Sequence, residues 1–150
     1  MSLKYLIIHC TMTREDKRLV VSEIVDKHLD KGWKNVCYSD VIDLDGRIFS
    51  LTKHNPTGRC TEWKLGKDID NNARHIAYVG GVNKSSTYLK DTRTDLQKDT
   101  LEIYIKYMLK RHPDLLIAGH NQFNDKQCPS FNMEQWLRSI NIDDNIIYKG

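Results

Sequence analysis

The sequence predicts a single α/β domain, a mixed central β-sheet with helices packed on its faces. Three observations carry that prediction. Short apolar runs, Tyr5 to Ile8 and Leu115 to Ala118, have the length and composition of buried strands. Segments of helical spacing lie between them, one opened by the S/T-x-x-E/Q pair Thr94 and Gln97. At 150 residues, 39% hydrophobic and 29% charged, the chain is the size of one ordinary globular domain, residues 1–150, and can bury a core without disulfide staples.

The first strand is read over Lys4 to His9, followed by a polar connection from Thr11 to Arg18. Ser22 is placed to cap a helix with Ile24, Val25, His28 and Leu29 at helical spacing and Gly32 just past its end. Tyr38 to Leu44 and Arg47 to Leu51 read as antiparallel strands joined at Asp45-Gly46, a pair suited to a two-residue turn needing positive φ. Lys53 to Asn72 has no sustained period and holds Pro56, Gly58 and Gly66, so a long surface loop is expected there. His75 to Val79 is a short strand ended by Gly80-Gly81. Thr94 then opens a helix carrying Leu96, Leu101, Tyr104, Ile105, Met108 and Leu109 on or near one face, and Pro113 stops it. Leu115 to Ala118 is the next strand, and Asn132 with Gln135 starts a last helix, Met133 to Ser139. The order β, α, β, β, β, α, β, α calls for a mixed sheet between helices.

Twenty-three Lys and Arg against twenty Asp and Glu leave a net charge of +3, with both signs interspersed. That pattern gives little support to a nucleic-acid partner. The apolar runs are far too short to cross a bilayer, and no membrane partner is expected. Met1 to Cys10 lacks the long apolar segment and cleavage site of a secretory signal, so a cytoplasmic protein is expected. Cys10, Cys37, Cys60 and Cys128 are irregularly spaced, which fits reduced thiols better than a disulfide framework. A monomer is expected.

The polar stretch GHNQFNDKQCPSF, residues 119–131, carries most of the candidate chemistry. His120 falls just beyond one predicted strand and His9 at the end of another, so the two imidazoles converge if those strands are neighbours. Cys128, held by Pro129, returns toward them. Two imidazoles and a thiolate suit zinc, with a fourth position left open as in catalytic rather than structural sites. Spacing alone leaves the other reading open, in which these are satisfied core histidines and a buried thiol. Cys10 and Cys37 alternate away from His9 and Tyr38 and are expected in the core. His28 lies on the apolar helix face, His112 suits a helix C-terminus, and Trp33 and Trp136 are packing residues. His54, Cys60, Trp63 and His75, near the long loop, are expected at the surface, with substrate contact the alternative.

Four segments in order, LIIHCT, GWKNVCYSDVIDLDGRIF, YVGG with KDTRTDLQ, and GHNQFNDKQCPSF, resemble zinc-dependent N-acetylmuramoyl-L-alanine amidases. That family includes amidase-type phage lysozymes and shares its fold with peptidoglycan-recognition proteins. The resemblance spans most of the chain except residues 53–72. It implies zinc as cofactor, with His9, His120 and Cys128 as ligands, and Tyr38 and Lys126 of the K-x-C-P run as catalytic residues. It also implies peptidoglycan or a muropeptide as substrate, cut between N-acetylmuramic acid and L-alanine, and an endolysin as the biological setting. The residues themselves allow blander roles, a strand-edge aromatic for Tyr38 and a solvated loop lysine for Lys126. Two departures stand out. Ser39-Asp40 follows Tyr38 where relatives commonly carry a GYH-like run, which implies a different substrate-facing wall. The strand 75–79 offers no glutamate as general base. The rival reading is a peptidoglycan-binding module of the same fold without turnover.

Overall fold

The computed structural model describes residues 3–32, 37–51, 63–123 and 127–150. Its centre is a five-stranded sheet in the order β4-β3-β5-β1-β7, formed by β1 (Tyr5–Cys10), β3 (Asp40–Ile42), β4 (Ile48–Ser50), β5 (Ala73–Tyr78) and β7 (Leu116–Gly119). β1 runs parallel to both β5 and β7, β3 runs parallel to β5, and β4 closes the edge antiparallel to β3. The expected mixed sheet is therefore present. The condition for convergence of His9 and His120 is met as well, because β1 and β7 are neighbours with Ile8 opposite Gly119.

Alternation along β1 and β5 divides the core in two. Leu6, Ile8, Cys10, Ile42, Ile76 and Tyr78 face α3 (Asp95–Arg111) and α4 (Met133–Ser139), which contribute Leu101, Ile105, Met108, Met133 and Leu137. On the other face Val41, Ala77 and Val79 pack with Ile24 of α1 (Val21–Asp30). Cys10 is buried on the α3 side, as its position next to His9 in a strand requires.

The helix signals act as read for α3 and α4. Thr94 Oγ1 accepts the Gln97 N–H at 3.1 Å while Gln97 Oε1 accepts the Thr94 N–H at 2.9 Å, a reciprocal capping box. Asn132 Oδ1 accepts the Gln135 N–H at 2.9 Å and caps α4. α1 starts differently. Its N-cap is Val20 with no side-chain hydrogen bond, and Ser22 lies inside the first turn. Val20 is exposed, so water can satisfy the first amides without a capping side chain.

The hairpin also departs from expectation. Gly46 alone of the Asp45-Gly46 pair has positive φ, its N–H donates to Asp43 O, and the Asp43 N–H donates to Arg47 O. This is a type I turn followed by a left-handed glycine, a three-residue loop. Asp43 Oδ1 accepts the N–H groups of Asp45 and Arg47, which favours the wider turn. A Cβ on Gly46 would stand 2.8 Å from Leu96 O, so the turn docks on α3 only as glycine.

Within the stretch read as a long loop, Lys67–Asn72 forms α2. Its six residues are too few to display a period, and the Leu65 N–H donates to Asp70 Oδ1 at 3.1 Å to fix its start. Two further short strands, β2 (Thr13–Arg14) and β6 (Gly81–Val82), pair in parallel outside the main sheet. Cys10 and Cys128 are reduced, whereas Cys37 is disulfide-bonded. Cys37 thus corrects the expectation of four reduced cysteines. Trp33, His54, Cys60 and Lys126 lie outside the described residues. Among the described residues no helix is long and apolar enough to cross a membrane.

Candidate metal centre

The carboxyl ends of neighbouring parallel strands bring together groups that lie far apart in sequence. β1 ends with His9 and Cys10, and β7 passes directly into a short 3-10 turn, His120–Gln122. The chain then returns through Cys128, whose peptide bond to Pro129 is cis. The return is anchored twice: the Asn121 N–H donates to Cys128 O at 2.7 Å, and the Tyr78 hydroxyl donates to Pro129 O at 2.6 Å. Tyr78 is itself fully buried in the α3-side core, so the cysteine loop is held by the sheet.

His9, His120 and Cys128 are all buried, and one ligand atom from each lies within 4.8 Å of the others. The Cys10 N–H donates to Cys128 Sγ at 3.1 Å, an interaction that favours a thiolate. His9 Nδ1 is buried and has no hydrogen-bond partner among the described residues. An orphaned buried nitrogen costs free energy unless something is bound to it, and a metal ion fits that place and this donor set.

Tyr38 stands beside the cluster. Its ring is 5.4 Å from that of His9, and its hydroxyl donates to Cys10 O at 3.3 Å. Burial, followed by the nearby thiols of Cys128 and Cys10, pushes the phenol well above its ordinary value. Tyr38 is therefore a proton-bearing donor at neutral pH. A cavity of about 110 Å³ opens here, lined by His9, Tyr38, Trp63, His120 and Cys128, with Lys27 and Lys31 of the α1 region at its side. Ser39 and Asp40 are buried and do not line this cavity.

Two side chains expected at the surface belong to the site. His75 is fully buried, and its Nδ1 lies 2.9 Å from His9 Nε2. Trp63 stacks on the His9 ring, with centroids 4.4 Å apart and planes 25° apart. The signal available for His75 was its place on an otherwise apolar strand. Its inward direction depends on β5 lying next to β1, and no local pattern specifies that pairing.

Burial keeps these imidazoles neutral, as metal ligation requires. His9 is held well below its usual value by burial and then by His75, His120 and His28. His75 is pushed down to about 3 by burial and then His120. His28, whose Nδ1 accepts the Cys37 N–H at 3.1 Å, is lowered to about 4 by burial and then Lys31 and Lys27. A proton lost on folding makes stability pH-dependent. Above the ordinary value of 6.5 the folded and unfolded chains bind the same protons at these sites, and below it the unfolded chain binds more. Stability present above pH 6.5 is therefore lost as pH falls, over a window reaching about 4 for His28 and about 3 for His75. With a slope for each group that rises toward ~1.4 kcal/mol per pH unit as the unfolded imidazoles protonate, His28 and His75 together are expected to cost the metal-free protein ~3 kcal/mol between about pH 6.5 and about pH 5. Urea unfolding at the two pH values measures this, and a constant free energy would contradict it.

The model of the N-acetylmuramoyl-L-alanine amidase family matches residues 1–131. The endolysin of Escherichia phage T7 is 24% identical over 131 residues, spanning 87% of this chain and 83% of that protein. The solved structure of the N-acetylmuramoyl-L-alanine amidase LysC from Clostridium intestinale URNW is similar with a TM-score of 0.72 at 21% identity, covering 95% of this chain and 87% of that one. Drosophila PGRP-LB is similar with a TM-score of 0.67 at 21% identity, covering 95% of this chain and 86% of that one. The two structural likenesses establish a shared fold.

Proposed function

Because this chain belongs to the N-acetylmuramoyl-L-alanine amidase family, it is an amide hydrolase of peptidoglycan, and we propose that it works as a zinc enzyme of the endolysin type. The bond cut is the amide between the lactyl group of N-acetylmuramic acid and L-alanine. The observation that carries the zinc reading is the convergence of buried His9, His120 and Cys128 within 4.8 Å. Two neutral imidazoles and a thiolate form a three-ligand set of the kind that leaves a coordination position for chemistry. When bound there, zinc supplies a Lewis acid and makes water nucleophilic at neutral pH.

The chain's own groups supply the rest. Tyr38, protonated and half-buried at the cavity wall, is the proposed donor to the developing oxyanion or the partner in proton transfer. Lys126, two residues before Cys128, is the proposed positive charge at that oxyanion, a role worth about 3 to 4 kcal/mol when preorganised. Its assignment rests on the K-x-C-P resemblance. Residues 1–150 act as one catalytic domain and as a monomer in this reading.

Digestion of purified peptidoglycan, with product analysis by mass spectrometry, tests the function. Expected products are stem peptides with a free L-alanine amine and glycan strands with intact lactyl ends. Activity should vanish after complete zinc removal and return when zinc is restored. New reducing sugar ends would refute the bond assignment, and undiminished activity in the metal-free protein would refute the zinc reading. Tight binding to the wall without any product would favour a recognition module.

A further inference from the structure

His75 has a place in the metal centre that its residue type and partner define. In the parallel register Ile7 lies opposite His75 and His9 opposite Ala77, so both imidazoles project from the same sheet face one step apart. Their rings are 5.1 Å apart at 50°, and the 2.9 Å contact joins His9 Nε2 to His75 Nδ1. The other nitrogens, His9 Nδ1 and His75 Nε2, are buried with no hydrogen-bond partner among the described residues.

A neutral imidazole carries one N–H, so this contact admits two arrangements. In one, His75 Nδ1–H donates to His9 Nε2. His9 then bears its proton on Nδ1 and keeps no lone pair for a metal. In the other, His9 Nε2–H donates to His75 Nδ1, and the lone pair of His9 Nδ1 is free. Only the second is compatible with ligation. Metal-binding histidines generally donate their second N–H to an acceptor that fixes tautomer and ring orientation, most often a carboxylate, a carbonyl or water. On this strand no carboxylate is present, and an imidazole stands in that position.

We propose that His75 is a positioning residue for the metal centre: it accepts the Nε2–H of His9, selects the tautomer with a bare Nδ1, and fixes the ring that Trp63 covers from its face. The proposal rests on the reading of His9, His120 and Cys128 as zinc ligands. His75 acts through His9 and makes no bond to the metal.

The test compares zinc affinity by chelator competition in the full chain and in His75→Leu, His75→Asn and His120→Ala. Losing an outer partner of this kind weakens metal binding by about 10–100-fold, the loss expected for His75→Leu. His75→Asn places an amide oxygen near the position of Nδ1 and should restore most of the affinity, which a merely space-filling role would not predict. Independently of any variant, ¹⁵N NMR of the zinc-loaded wild-type protein should place the metal on His9 Nδ1 and a proton on Nε2. Wild-type affinity in folded His75→Leu, or zinc on His9 Nε2 or on His75, overturns the proposal. If His120→Ala loses zinc while His75→Leu keeps it, the ligand reading stands and only the role of His75 fails. If His120→Ala binds zinc like the wild type, the ligand reading itself fails.

Discussion

Replacing Cys128 with alanine is expected to lower zinc affinity by a factor of about 10² and to abolish amide hydrolysis at stoichiometric zinc. Four-ligand sites hold zinc by roughly 10–16 kcal/mol, so one ligand accounts for about 3 kcal/mol, which converts to that factor. The structural cost is separate. Cys128 is buried and accepts the Cys10 N–H, and its removal leaves that amide without the acceptor, a loss of about 1–3 kcal/mol. Cys128→Ser distinguishes the two effects, because a hydroxyl can accept the same hydrogen bond but ionises too weakly to replace a thiolate at the metal. The serine variant should therefore recover part of the stability and little of the zinc affinity. Dye-competition titration, urea unfolding and release of L-alanine amines from peptidoglycan measure the three quantities. A folded alanine variant that keeps zinc affinity and turnover would remove Cys128 from the site.

Legibility in the sequence followed the range of each interaction. The capping box of α3 and the cap of α4 are local, and the residues that form them lie three apart. His9 and His120 were candidates because each falls at or just beyond the end of a predicted strand, and the resemblance to the amidase family selected them, with Cys128, as ligands. Their convergence needed the non-local fact that β1 lies between β5 and β7. The same fact hid His75, whose surface or buried direction depends on which strand pairs with β5. Trp63 was equally hidden, since nothing in its own neighbourhood indicates that it stacks on a histidine more than fifty residues upstream. Gln97 was read as half of a capping box, yet its Nε2 also donates to Val79 O at 2.9 Å, tying α3 to the strand edge. Tyr38 and Lys126 drew their roles from resemblance. Tyr38 lines the cavity, whereas Lys126 lies outside the described residues.

The largest loss of stability is expected from Asp40→Ala, at a position remote from the metal. Asp40 projects from β3 toward α3, where its Oδ2 accepts Arg74 Nη2 at 2.7 Å, Arg74 Nε at 3.0 Å and the Tyr104 hydroxyl at 2.7 Å. The Tyr104 oxygen in turn accepts from Arg74 Nε at 2.9 Å, so three side chains close a network between β3, β5 and α3. Side-chain exposures of 13% for Arg74 and 6% for Asp40 leave water little access to replace the carboxylate. Breaking this largely buried pair by removing the carboxylate costs about 3–5 kcal/mol, whereas removing both charges together can be nearly neutral. The double variant Asp40→Leu with Arg74→Met should therefore be more stable than Asp40→Ala alone, and Tyr104→Phe should lose only about 1 kcal/mol. Zinc affinity of the folded fraction should stay unchanged, because Asp40 shares the sheet face of Ile42 while His9 and His75 occupy the opposite one. Urea unfolding and chelator competition on the same samples decide this. A loss under about 1 kcal/mol in Asp40→Ala would mean that the guanidinium is satisfied without the carboxylate, and that β3, which follows Tyr38, is held by its backbone pairing with β4 and β5 and the packing of Val41 and Ile42.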